Sequence, residues 1–196
     1  MNKVSLINPN FQTGPVHLNS YYLPYTAGTL WAYCMADKRL ADNFEINNWI
    51  FKRDDIDQAV KDCKGSDIAL LSIYIWNQKY TYALAKKLKE TYPNIKIILG
   101  GPQLEWRDDN YFKKYPYIDS IVIGEGESAL KFLLECYLDG KDLPKRNQFE
   151  RIKDLDLPSP YLTGLFDSLL EEYPRALSNI VTGNFLLLSI ITNKQS

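Results

Sequence analysis

The sequence predicts an α/β chain folded as a doubly wound parallel sheet of five strands. Three observations carry this. Short β-prone apolar runs alternate with helical patterns five times over about 140 residues. One of those runs, Ile68 to Ile75, is almost unbroken in apolar character, as in a strand covered by helices on both faces. Two others, Ile95 to Leu99 and Ile118 to Ile123, stop at glycines before a helical pattern resumes. In a parallel sheet such corners lie at the carboxyl ends of strands, where a backbone without Cβ can approach a ligand closely.

Taken in order, Val4 to Ile7 is a short strand ending at Asn8-Pro9-Asn10, followed by a polar loop through Gly14-Pro15. Ala27 to Asp37 is a helix with Leu30, Tyr33 and Cys34 on one side, and Asn43 to Phe51 is the second strand. Asp54 and Asp55 cap a helix in which Ile56, Ala59, Val60 and Cys63 recur at helical spacing. After the Ile68 to Ile75 strand, Gln78 to Tyr92 is a helix ending before Pro93, Ile95 to Leu99 is strand four, and Asp108 to Tyr115 is a short helix. Ile118 to Ile123 is strand five. Ser128 to Asp139 is the strongest helix, with Leu130, Leu133, Leu134 and Tyr137 in one stripe and Gly140 as its stop. Right-handed crossovers then give a Rossmann-like, flavodoxin-like sheet over residues 1–140. Residues 141–175, punctuated by Pro144, Pro158 and Pro160, are an ordered connector with a helix from Phe166 to Glu172. Residues 176–196 form an atypical tail, outside the core, whose uncharged run Phe185 to Ile191 is prone to self-association.

Composition narrows the function. A chain of 196 residues with 45% hydrophobic and 24% charged residues builds an ordinary globular core. A net charge of −1 lacks the basic face of a nucleic-acid binder. The three cysteines, Cys34, Cys63 and Cys136, are scattered and the single histidine is His17, which supports neither a disulfide framework nor a zinc site. Free buried thiols, a first strand in place of a signal peptide, and no apolar run near the ~20 residues of a membrane span predict a cytoplasmic protein without a membrane partner.

The candidate site residues cluster at three strand ends. Ser72, Tyr74, Trp76 and Asn77 end the third strand, where hydroxyl and amide groups accompany aromatic walls. Gly100, Gly101 and Pro102 follow the fourth; alone they read as a turn. Gly124, Glu125, Gly126 and Glu127 follow the fifth and open a helix, where free N–H groups and carboxylates suit a hydroxyl-bearing ligand better than bare phosphate. If the close backbone approach at Gly101 serves a ligand, valine there should weaken binding far more than folding.

A strand ending Ser-x-Tyr-x-Trp-Asn, then Gly-Gly-Pro, then Val-Ile-Gly-Glu-Gly-Glu, on a five-fold β-α repeat, resembles the N-terminal cobalamin-binding domain of the cobalamin-dependent radical S-adenosylmethionine (SAM) proteins. The resemblance covers Met1 to Asp139 and continues more loosely through Leu157 to Gly164, which is similar to the connector leading to the family's catalytic barrel. It implies a corrin over the carboxyl edge of the sheet, a nucleotide tail reaching down among the loops, and the residues named above lining that crevice. Asp-x-His, which carries the cobalt-binding histidine of mutase-type cobalamin domains, is absent, so no protein histidine on cobalt is expected. C-x-x-x-C-x-x-C is also absent, so the chain is expected to hold no iron–sulfur cluster. The chain reaches Ser196 about where that motif should begin, which suggests a truncated or rearranged product, non-catalytic alone and served by a separate radical SAM catalytic chain. The rival reading is a flavodoxin-like FMN- or nucleotide-binding protein, a small oxidoreductase. That class favours a Ser/Thr-rich loop after strand one, whereas Asn8 to Gly14 holds only Thr13.

Overall fold

The computed structural model describes residues 1–13, 20–153 and 157–173. His17 and the tail from residue 176 onward lie outside the described residues. In chain order the elements are β1 (Asn2–Asn10), β2 (Gln12–Thr13), β3 (Ser20–Tyr21), α1 (Tyr25–Met35), α2 (Lys38–Ala41), β4 (Phe44–Lys52), α3 (Ile56–Asp62) and β5 (Ile68–Ser72). There follow α4 (Gln78–Thr91), β6 (Lys96–Gly100), α5 (Tyr111–Lys114), β7 (Ser120–Ile123), α6 (Glu127–Leu138), β8 (Arg146–Gln148) and α7 (Asp167–Glu172).

β4, β1, β5, β6, β7 and β8 lie side by side in that order, all parallel, while β2 and β3 form a small antiparallel ribbon. The chain runs from β1 outward to β4, then crosses back past β1 to β5. The topological switch therefore falls between β1 and β5, where a doubly wound sheet opens a crevice at its carboxyl edge. Register places Leu6 opposite Leu70, Leu70 opposite Ile98, and Leu99 opposite Ile121.

Side chains alternate between two cores. Ile7, Leu71, Ile97, Leu99 and Ile121 pack under α3, α4 and α5. Val4, Leu6, Ile98 and Val122 pack under α1 and α6. The helices follow from their sequence: α4 buries Thr81, Leu84, Ala85 and Leu88 at helical spacing, and Asp55 caps α3 by accepting from the Asp57 and Gln58 N–H groups. Cys63 belongs to the first core, Cys34 to the second, and both are buried.

Three details depart from the sequence reading. The sheet has six strands, because Arg146-Asn147-Gln148 adds a parallel edge strand beside β7. A polar triplet gives no apolar signal; it is held by Asn147, 3% exposed, whose Nδ2 donates to Ser120 Oγ at 2.8 Å, Pro144 O at 3.0 Å and Ile121 O at 3.1 Å. The third strand stops at Ser72 and does not reach Ile75, which is 75% exposed. The Tyr74 N–H donates to Asn77 Oδ1 at 2.8 Å, turning the chain away from the sheet. The residues read as a connector also pack onto the domain: Phe166, Leu169 and Tyr173 are buried with Leu23 and Phe51. Gly28 of α1 makes room for Phe166, since a Cβ there would overlap its ring.

Candidate functional site

A cavity of about 660 Å³ opens at the carboxyl edge and runs down between the sheet and two helices. Leu6, Leu70 and Ile98 form its floor on the sheet, while Ala27 and Leu30 of α1 and Leu130 of α6 form the opposite wall. These are positions of β1, β5 and β6 on one face of the sheet, facing an alanine and two leucines on the helices. Apolar walls of this kind exclude water from whatever enters.

The mouth is polar and glycine-rich. Ser72, Tyr74, Gly100, Gly101, Pro102, Gly124, Glu125, Gly126 and Glu127, all singled out from sequence, line the same cavity. Tyr74 OH and Thr26 Oγ1 lie 3.1 Å apart across its rim. The first turn of α6 has Gly126 at its N-cap and no side-chain cap, which leaves backbone N–H donors next to the two carboxylates. A Cβ at Gly124 would meet nothing within 4 Å, and one at Gly100 would reach only Val122 at 3.5 Å, so both positions leave space that a ligand can fill.

Gly101 has a different task. Its φ is +126, and a Cβ there would collide with the Ile73 backbone, lying 2.9 Å from the nitrogen and closer still to the oxygen. The close approach that its sequence context suggested is therefore between two backbone segments of the protein, beside the cavity that Gly101 also lines.

Trp76 and Asn77 sit apart from the lining. Trp76 stacks on Tyr74, with centroids 4.6 Å apart and planes at 9°, is 42% exposed, and faces a second depression with Phe11 and Arg53. Asn77 is 1% exposed and spends its amide on backbone groups of Pro9, Ser72 and Tyr74. It holds the loop that carries Tyr74 and Trp76. Sequence reasoning missed the floor residues, Trp106 at the rim, and Arg151 and Ile152, which reach the mouth from the segment after β8. Leu30 and Leu130 were legible as helix stripes, but nothing local marks a stripe residue as cavity wall. No cluster of histidine, cysteine, aspartate and glutamate suited to a metal occurs among the described residues, and none of their helices is long and apolar enough to cross a membrane.

A family model described as the B12 binding domain matches residues 34–134, more than half of the chain. The cobalamin-dependent radical SAM methyltransferase TokK of Streptomyces tokunonensis is 34% identical over 171 residues, covering 78% of this chain and 25% of that protein. The 2-(S-pantetheinyl)-carbapenam-3-carboxylate methyltransferase of Streptantibioticus cattleyicolor is 30% identical over 162 residues, covering 74% and 24%. The anaerobic magnesium-protoporphyrin IX monomethyl ester cyclase of Rubrivivax gelatinosus is 26% identical over 151 residues, covering 74% and 26%. The chain spans about a quarter of the length of these relatives. By the match over residues 34–134 and the identity to these methyltransferases, this chain belongs to the B12-binding domain family and is similar to the corresponding part of cobalamin-dependent radical SAM methyltransferases.

Proposed function

We propose that this chain binds cobalamin at the carboxyl edge of its sheet, with the corrin over the mouth and the nucleotide tail in the cavity below. The observation that carries the reading is the cavity itself: an apolar slot of about 660 Å³ beneath a polar, glycine-lined rim at the topological switch. The residues present fit such a ligand. Leu6, Leu30, Leu70, Ile98 and Leu130 suit a flat aromatic base, and the open space at Gly100 and Gly124 admits the tail without displacing side chains. Glu125, Glu127, Ser72 and Tyr74 provide partners for the ribose hydroxyls and for the amide arms of the corrin. With no Asp-x-His in the chain, the reading has no protein histidine on cobalt.

Bound cobalamin supplies a cobalt centre able to carry a methyl group. This domain's share is to bind and orient it and to exclude water from the buried tail. Cleavage of SAM belongs to a radical SAM catalytic partner, in the same protein or a separate chain. FMN binding is the weaker reading, because the loop after β1 holds only Thr13 between Asn8 and Gly14, where that class favours a Ser/Thr-rich phosphate loop.

Purified protein incubated with hydroxocobalamin and desalted should keep a corrinoid spectrum, and His17→Ala should leave that spectrum unchanged. Protein that emerges colourless from cobalamin yet yellow from FMN sinks the proposal.

A further inference from the structure

We propose that Arg151 is the phosphate-binding residue of this crevice, held in place by Glu125, and that it makes the domain prefer corrinoids that carry a nucleotide tail. The inference rests on the reading above, in which that tail occupies the cavity.

Charge is the first argument. Among the described residues lining the cavity, Glu125 and Glu127 are the carboxylates and Arg151 is the only lysine or arginine. The tail of cobalamin contains a phosphodiester with one negative charge. Brought to a rim with two carboxylates and low-dielectric walls, that charge is repelled unless a cation answers it.

Geometry is the second. Arg151 meets Glu125 through Nε, 2.8 Å from Oε1. A guanidinium has five N–H donors, so this one contact leaves both terminal Nη groups available in a fixed plane. Glu125 thus orients the side chain without consuming it, and a phosphodiester can take the Nη donors while the Nε contact persists. The N–H groups of the uncapped first turn of α6, at Gly126 and Glu127 in the same lining, add donors beside it.

Magnitude is the third. The Arg151 and Glu125 side chains are 76% and 42% exposed, and exposed pairs contribute only about 0–1 kcal/mol to stability. Stability therefore gives little reason for the pair, and its rearrangement on binding costs little. Support for its position comes from the additional strand. Besides the Asn147 bonds, Arg146 donates to the carbonyls of Trp106 at 2.6 Å and Asp108 at 2.9 Å, while Phe149 packs on Phe132 with centroids 5.4 Å apart. β8 thereby anchors the segment that brings Arg151 and Ile152 to the mouth.

The test is a visible-absorption titration with two ligands, hydroxocobalamin and diaquacobinamide, which lacks phosphate, ribose and base. Wild-type protein, Arg151→Gln and Arg151→Lys are compared, with melting temperature as the check on folding. Arg151→Gln should weaken cobalamin about tenfold, the equivalent of one charge-assisted bond, and cobinamide by no more than about twofold. Arg151→Lys should fall between. Added salt should erode the preference for cobalamin in wild type and should not erode it in Arg151→Gln, where screening acts only on the repulsion from Glu125 and Glu127. If wild type binds both corrinoids and Arg151→Gln leaves their ratio unchanged, the assignment of Arg151 is overturned while the crevice reading stands. If wild type retains neither corrinoid, or takes FMN in their place, the crevice reading fails and this inference with it.

Discussion

Asn77 Nδ2 donates to the Pro9 carbonyl at 3.0 Å, tying the loop after β5 to the carboxyl end of β1, the two strands that flank the topological switch. The same amide donates to Ser72 O at 3.1 Å and accepts from the Tyr74 N–H at 2.8 Å. One buried side chain thus closes the loop that carries the aromatic rim of the crevice.

Removing it should be expensive. Asn77→Ala leaves two carbonyls and an N–H unpaired in the interior and should cost about 2–3 kcal/mol. Asn77→Asp keeps the size but sets an oxygen against two carbonyl oxygens, so it should cost at least as much. Urea denaturation measures both. A loss within about 0.5 kcal/mol for either would show that solvent or neighbouring groups replace these bonds.

Adjacent glycines should separate folding from binding. Gly101→Ala forces a side chain into a left-handed backbone and against Ile73, and should cost about 2–3 kcal/mol in urea melts. This reverses the expectation from sequence, in which the close approach at Gly101 serves the ligand and a side chain there weakens binding more than folding. A stable Gly101→Ala protein that has lost only cobalamin affinity would restore that expectation.

The segment from Leu157 to Tyr173 should behave as part of the fold. Phe166 is fully buried against Trp49, with ring centroids 5.5 Å apart, and over Gly28. Gly28→Ala should destabilise by about 1–3 kcal/mol through overpacking, and Phe166→Leu should recover part of that in a double-mutant cycle. Additive losses would show that the two residues do not meet.

The thiols should be inert in the native state. Burial pushes Cys34 far above the usual thiol range and Cys63 up to about 11, the latter opposed by a hydrogen bond with Ser5. For a pKa raised in the fold, the reactive thiolate appears only as pH climbs toward the raised value. Near pH 8 Cys63 is ionised in roughly one molecule per thousand. A disulfide reagent should modify neither Cys34 nor Cys63 at that pH, and both after denaturation. The same burial predicts no 5′-deoxyadenosine from SAM after anaerobic reconstitution with iron and sulfide; product above a cysteine-free control would contradict it.

Much of this architecture was legible because its signals are periodic. The stripes of α4 and α6, the Asp55 cap and the apolar runs of β5, β6 and β7 are local, and their strand ends located the glycines and carboxylates of the rim. What escaped depends on partners distant in sequence. Asn77 looked like a ligand group because the carbonyl that consumes it belongs to Pro9, which is 68 residues away. β8 is polar and exists through Asn147 and its bonds to β7 and Pro144. Phe166 looked like part of a linker because its socket is a glycine on α1. Arg151 is a surface arginine until the sixth strand brings it to the crevice.

If cobalamin occupies this particular cavity, Gly100→Leu should expel it. A Cβ at Gly100 meets only Val122 at ordinary contact distance, and the added side chain enters the slot where the tail is proposed to lie. The measurement is the dissociation constant for hydroxocobalamin, wild type against Gly100→Leu, by visible titration. Wild type should bind, and the variant, with its melting temperature within a few degrees, should bind at least about tenfold more weakly. Equal affinity in the two folded proteins would place cobalamin elsewhere, and no binding by either would remove the claim.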